Sequence, residues 1–100
     1  MLESSMERSI REWCDKQGIK FLKLRPVAFG EGFPDRTVLI PGGKVLFMET
    51  KTAKGTVRHK QKWWIAELQK LGFEAVVCRT VKEAKNAIAE LSTGSKKVQP

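Results

Sequence analysis

The sequence predicts an α/β domain, a small mixed β-sheet flanked by helices in the order αβββαβα. Three observations predict it. Apolar residues recur at helical spacing in three segments. Four short apolar or alternating runs, bounded by Gly, Pro and polar residues, read as strands. The second of the three helices lies between the third and fourth strands, which permits a parallel crossover of right-handed sense. One hundred residues make one domain, with a real but modest core.

Residues 3–17 form the first helix, with Met6, Ile10, Trp13 and Cys14 on one side and Gly18 as its stop. "IKFLKL", 19–24, alternates apolar and basic residues like a half-exposed strand. "RPVAFGEGFP", 25–34, is a Gly/Pro loop. "DRTVLI" and "KVLFMET" are strands, and "PGG", 41–43, turns the chain between them. "AKGT", 53–56, breaks the pattern before a helix over 57–71 whose apolar stripe is Trp64, Ile65, Leu68 and Leu71. "FEAVVC", 73–78, is a short strand. Thr80 and Glu83 form a capping box for the last helix, which carries Val81, Ala84, Ile88 and Leu91 on one face. The domain spans 1–91, and "STGSKKVQP", 92–100, is a polar tail expected to be disordered.

Nineteen Lys and Arg against eleven Asp and Glu leave a net charge of +8. That excess points to a polyanionic partner, nucleic acid first. No apolar run approaches the roughly 18–20 residues that span a membrane, and the N-terminus lacks the apolar centre of a signal peptide. A cytoplasmic location is therefore expected. Cys14 and Cys78, the only cysteines, sit in apolar patterns and read as small core residues. With His59 the sole histidine, they do not make a zinc site.

Three charged residues stand out at the ends of apolar strands. Glu49 and Lys51 are two apart on a strand, so they share a face about 6–7 Å apart. Asp35 begins the neighbouring strand. Residues 35 and 49 are nearly symmetric about the turn at 41–43, so their carboxylates become neighbours. Two carboxylates held close prefer a cation between them, and hard oxygen donors suit Mg²⁺ or Mn²⁺. Such an ion activates water against a phosphodiester, and Lys51 beside it orients the water or offsets phosphate charge. A surface ion-pair cluster would use the same residue types. Glu83-Ala84-Lys85 repeats the Glu-x-Lys spacing, but in a helix residues two apart diverge by about 200°. Gln61 falls on the sheet-facing side of its helix with Ile65 and Leu68. An amide there needs partners or costs about 1–3 kcal/mol, which suits either a place near the site or a satisfied core glutamine.

"GFPD", thirteen residues, then "ETK" resembles the PD-(D/E)xK nuclease signature. With Glu7 in the first helix, Gln61 opening the next and Leu71-Gly72-Phe73 before the last strand, the pattern is similar to the VRR-NUC family over residues 3–91. Glu7 rather than Glu3 matches by its distance from Gly18. The resemblance implies a restriction-endonuclease-like fold and a Mg²⁺- or Mn²⁺-dependent nuclease, of the stand-alone kind typical of phages and bacteria. It assigns the metal ligands to Asp35, Glu49 and the backbone carbonyl of Thr50, with Glu7 supporting the site through water. It makes Lys51 the catalytic lysine and Gln61 the family glutamine.

"KTAKGTVRHKQK", 51–62, leads from this site into a helix. Lys54, Arg58, Lys60 and Lys62 are expected to meet phosphates flanking the cleaved bond, and Arg25 another. His59 reads as a phosphate contact or a surface residue. Phe29 or Phe33 serves either as a wedge at a DNA junction or as core. Trp63 lies on the polar side of its helix and marks an interface, with a second subunit favoured over stacked DNA. The expected partners are branched DNA and a second copy, with no membrane and no organic cofactor. Stand-alone VRR-NUC proteins resemble junction resolvases, which implies cleavage of four-way junctions by a homodimer. Flap cleavage and a catalytically silent nucleic-acid-binding domain are the alternatives.

Overall fold

The computed structural model describes residues 3–24 and 31–93. Helix α1 is Ser5–Gln17, followed by strands β1 (Lys20–Lys23), β2 (Arg36–Ile40) and β3 (Lys44–Thr50). Helix α2 is His59–Lys70, strand β4 Glu74–Cys78 and helix α3 Val81–Thr93. The strand order is β1-β2-β3-β4. β1/β2 and β2/β3 are antiparallel and β3/β4 parallel, so the order and the mixed sheet are those the sequence predicts.

The element ends differ by a residue or two, each for a local reason. α1 starts after Ser4, whose hydroxyl accepts from the Glu7 N–H at 3.1 Å while the Glu7 carboxylate accepts from the Ser4 N–H at 3.3 Å. That reciprocal box satisfies two of the free donors at the helix start. α2 starts at His59 because Arg58 is extended at φ −75° and ψ 162°. It stops at Lys70, which leaves Leu71 outside the stripe and 65% exposed, against the sequence reading. α3 runs to Thr93, two residues into the expected tail. Arg25, Phe29 and residues 94–100 lie outside the described residues.

Register places the sheet's chemistry. Ile40 pairs with Lys44 and Arg36 with Met48 across the β2–β3 hairpin. The turn needs glycine: Gly42 and Gly43 both take positive φ, 94° and 77°, which costs side-chain-bearing residues energy. One step beyond Arg36–Met48, Asp35 comes opposite Glu49. Asp35 therefore sits just before β2 rather than in it.

Alternation divides the strands between two faces. Val38, Ile40, Leu46 and Met48 pack with Ile10 and Cys14 of α1 and Ala84 and Ile88 of α3 into the main core. Both cysteines are buried, as their patterns predict. The other face carries Phe47, which meets Phe33 and Phe73 edge-on at 5.6 Å each. Phe33 meets Trp64 of α2 at 4.9 Å. α2 thus covers the face opposite α1, and Phe33 belongs to this aromatic layer rather than to an exposed wedge. Among the described residues, no helix is long and apolar enough to cross a membrane.

The segment leading to Asp35 is tied to α2 by close contact. Gly32 has φ 95°, and a Cβ there would lie 2.7–2.8 Å from Lys60 backbone and Cβ atoms. Gly32→Ala therefore combines left-handed strain with overpacking, expected to cost about 1–3 kcal/mol. A urea titration should show a lower midpoint at unchanged slope; an unchanged midpoint would mean that the loop moves away from Lys60 freely.

Candidate active site

The residues singled out in the sequence meet at the end of β2 and β3, but on two sides of the sheet. Glu49, Asp35 and Lys51 share the face covered by α2. Glu49 is buried, and its Oε1 accepts from the backbone N–H of Asp35 at 3.3 Å. Its Oε2 accepts from Gln61 Nε2 at 3.1 Å and lies 3.8 Å from the Lys51 ammonium. Gln61 is buried with both ends of its amide bonded, because Oε1 accepts from the N–H of Arg58, the α2 N-cap, at 2.9 Å. It therefore locks the start of α2 to the site carboxylate.

Glu7 approaches from the other side, beneath α1. Its Oε2 accepts from Thr50 Oγ1 at 2.6 Å and from Arg36 Nε at 3.3 Å. Arg36 Nη2 lies 3.1 Å from Glu7 Oε1, an ion pair without hydrogen-bond alignment. Arg36 is 3% exposed, and its guanidinium stacks 4.7 Å over Phe21. Glu7 thus closes the α1 capping box and anchors β2 and β3 at once. Arg36 was not foreseen, although its inward position beside Asp35 in an apolar strand was a signal.

These surroundings split the carboxylates. Burial raises the Glu7 pKa, but hydrogen bonds from Arg36, Thr50 and Ser4 and the Arg36 charge outweigh it and bring the carboxyl to about 2. Glu49 goes the other way. Burial and the Asp35 charge push it up to about 7, against the partial relief of Lys51, the Asp35 N–H and Arg58. Asp35 is also raised, by burial and by the Glu7 charge. Its Oδ1 is buried without a hydrogen-bond partner. Buried Glu49 and half-buried Asp35 together form a carboxylate pair short of positive charge, and hard oxygen donors in that state fit a small divalent cation. Among the described residues no three Asp, Glu, His or Cys side chains converge as metal ligands, so side-chain coordination would fall to Asp35 and Glu49. The carbonyl of Thr50 would add to them, and Glu7, already engaged, would act at a distance.

Beside the pair, Glu31, Gly32, Arg58, His59, Lys60 and Gln61 line a cleft of about 460 Å³. Arg58 is close enough for its charge to act on Glu49. Lys60 pairs loosely with Glu31 at 3.9 Å, both exposed. Lys54 and Lys62 are exposed on the loop and helix that follow Lys51. Trp63 is 53% exposed and rests edge-on against Trp64 at 5.1 Å, the polar-side position its helical phase predicts.

The VRR-NUC domain family matches residues 1–82. A solved structure described as a VRR_NUC domain aligns with 84% of this chain and 90% of its own, with a TM-score of 0.72 at 23% identity. At that identity the likeness speaks for the fold. Comparison with curated proteins gives no match.

Glu7 provides a test of the α1 side. Its carboxyl is more acidic folded than the ordinary 4.5, so the folded state binds fewer protons. The stabilisation is full above about 4.5 and lost as pH falls through about 2. Glu7→Gln should weaken folding near neutrality by up to about 3–5 kcal/mol, since it leaves the buried Arg36 charge only the more distant Glu3 carboxylate at 3.8 Å. It should also flatten the acid limb of a stability–pH curve. An acid limb unchanged from the wild type would show that Glu7 does not carry it.

Proposed function

This chain belongs to the VRR-NUC domain family, a nuclease-type family, and we propose that it is a Mg²⁺- or Mn²⁺-dependent endonuclease that hydrolyses phosphodiester bonds of branched DNA. The observation that carries the reading is the Asp35–Glu49 pair, Glu49 buried and Asp35 with a buried, unpartnered Oδ1, flanked by Lys51 and Gln61. A site built only to bind phosphate has no use for two desolvated acids.

Asp35, Glu49 and the Thr50 carbonyl would hold the ion, whose chemistry is to lower the pKa of bound water and polarise the phosphate. The chain's residues do the remaining work. Gln61 fixes the Glu49 carboxylate in one rotamer through its bond to Oε2. Lys51 places its ammonium beside Glu49, where it orients the attacking water and offsets charge on the pentavalent phosphate. Glu7, Arg36 and Thr50 hold the two strand ends in register from the other side. Arg58, His59 and Lys60 line the adjoining cleft and receive the flanking phosphates, with Lys54 and Lys62 extending the track.

One small chain offers one site and little surface for reading bases, so shape is the natural specificity. A two-fold homodimer would set two sites in a fixed relation for paired nicks across a four-way junction, and the exposed Trp63 is the proposed contact. We place the activity in the cytoplasm of a bacterium or a phage-infected cell.

Labelled four-way junctions, flaps, single strands and linear duplex, each with Mg²⁺, Mn²⁺ or EDTA, test this directly. Paired, metal-dependent nicks in the junction are expected, with Lys51→Ala slower by on the order of 10²-fold or more while still binding. Light scattering on the same samples should give a dimer mass that falls in Trp63→Ala. Cleavage confined to flaps would replace the junction assignment, and binding without cleavage under every metal would replace the nuclease by a silent binder.

The ion site has its own readout. Mn²⁺ should raise the unfolding temperature of the wild type in a concentration-dependent way, because it binds the folded state. Asp35→Asn should abolish that shift. An equal shift in the variant would place the ion elsewhere.

A further inference from the structure

We infer that Arg79 is a positioning residue for Lys51, acting through the turn that follows β3. The inference rests on the nuclease reading for its kinetic consequence, but the contact is independent of it. Arg79 stands one residue past β4, the parallel neighbour of β3. The Lys51 N–H donates to the Cys78 carbonyl at 3.0 Å, so the ladder runs one step beyond Thr50 and brings Arg79 level with the chain leaving the site. There Arg79 Nη1 donates to the carbonyls of Gly55 at 2.6 Å and Thr52 at 2.8 Å, with Ala53 at 3.5 Å. The Thr52 carbonyl also accepts from the Gly55 N–H at 3.1 Å, which closes the turn on itself.

This turn lies against Lys51. A Cβ added to Gly55 would sit 3.5 Å from Lys51 Cδ and 3.2 Å from Thr52 Oγ1. Gly55 therefore faces Lys51 at Cδ, with room between them for no more than a methyl group. Arg79 in turn is held from α3. Its own N–H donates to Glu83 Oε1 at 2.7 Å, and the Glu83 N–H donates to Thr80 Oγ1 at 3.0 Å. The line of support runs from the α3 N-terminus through Arg79 to the turn and on to Lys51. A guanidinium suits the task because it is planar, permanently charged and rich in donors, so it gathers several carbonyls without titrating.

The hydrogen bonds of Arg79 go to Glu83 and the turn carbonyls and not to the carboxylate pair or the cleft-lining residues, so its effect should appear as order in Lys51 rather than as binding. The test compares wild type, Arg79→Ala, Lys51→Ala and the double variant. Carbon relaxation at Lys51 Cε, read by NMR on the isolated protein, should show a restrained side chain in the wild type and one as mobile as the surface lysines in Arg79→Ala. Steady-state cleavage should show kcat lower by on the order of 10- to 100-fold with KM little changed. In the Lys51→Ala background Arg79→Ala should cost nothing more, the signature of two residues acting as one unit. If Arg79→Ala does not fold, Arg79→Lys replaces it, with partial loosening of Lys51 expected because an ammonium covers the carbonyls less well. Unchanged Lys51 relaxation, or an undiminished loss in the Lys51→Ala background, overturns the inference. A wild type that cleaves nothing overturns the nuclease reading instead, and the relaxation comparison then decides the positioning role by itself.

Discussion

A buried carboxylate, Glu49, and a half-buried one, Asp35, brought together at the open end of a hairpin are the constraint around which this molecule is built. Like charges in a desolvated site repel, and neither Asp35 nor Glu49 has a full complement of cations: Glu49 rises to about 7 and Asp35 keeps a buried oxygen without a partner. A core of about this size cannot hold such a pair by packing alone. The surrounding polar contacts hold it in place. Gln61 and the Asp35 N–H occupy Glu49, Lys51 supplies a nearby charge, and the glycine at 32 lets the preceding loop lie against α2.

The sheet itself separates two electrostatic tasks. On the α2 face the carboxylates are kept underneutralised, which is what binding a hard cation requires. On the α1 face Glu7 is fully engaged by Arg36, Thr50 and its own helix cap, and its carboxyl falls to about 2. A carboxylate is thus a fully engaged strut on one side and an underneutralised group on the other, and alternation along two short strands is enough to divide them. The strut also makes the site depend on α1: the helix cap, the buried guanidinium and the strand ends share one carboxylate.

Basic charge enters at a third level. The net excess of cations is not spread uniformly. Arg36 is interior and structural, Arg79 is spent on backbone carbonyls, and Arg58, His59 and Lys60 border the cleft beside the carboxylates. Cations therefore stand next to acids that would repel a polyanion, the juxtaposition that the proposed metal-dependent nuclease reading accounts for.

Much of this was legible in the chain itself. Hydrophobic period and turn residues determine the αβββαβα order, since they are local. The glycine pair at 42–43 and the hairpin's length determine that residues 35 and 49 face each other, because strand register follows directly from the turn. The Glu49–Lys51 alternation follows from the pleat. The parts that only the tertiary structure decided involve partners distant in sequence. These are Glu7's engagement by Arg36 and Thr50 across the sheet, the aromatic layer that takes in Phe33, Leu71's exposure where α2 ends, and Arg79's grip on the turn after Lys51. A side chain's spacing states which face it occupies, but whether it meets a carboxylate, a carbonyl or water depends on which segments pack against that face. That is decided when the helices dock.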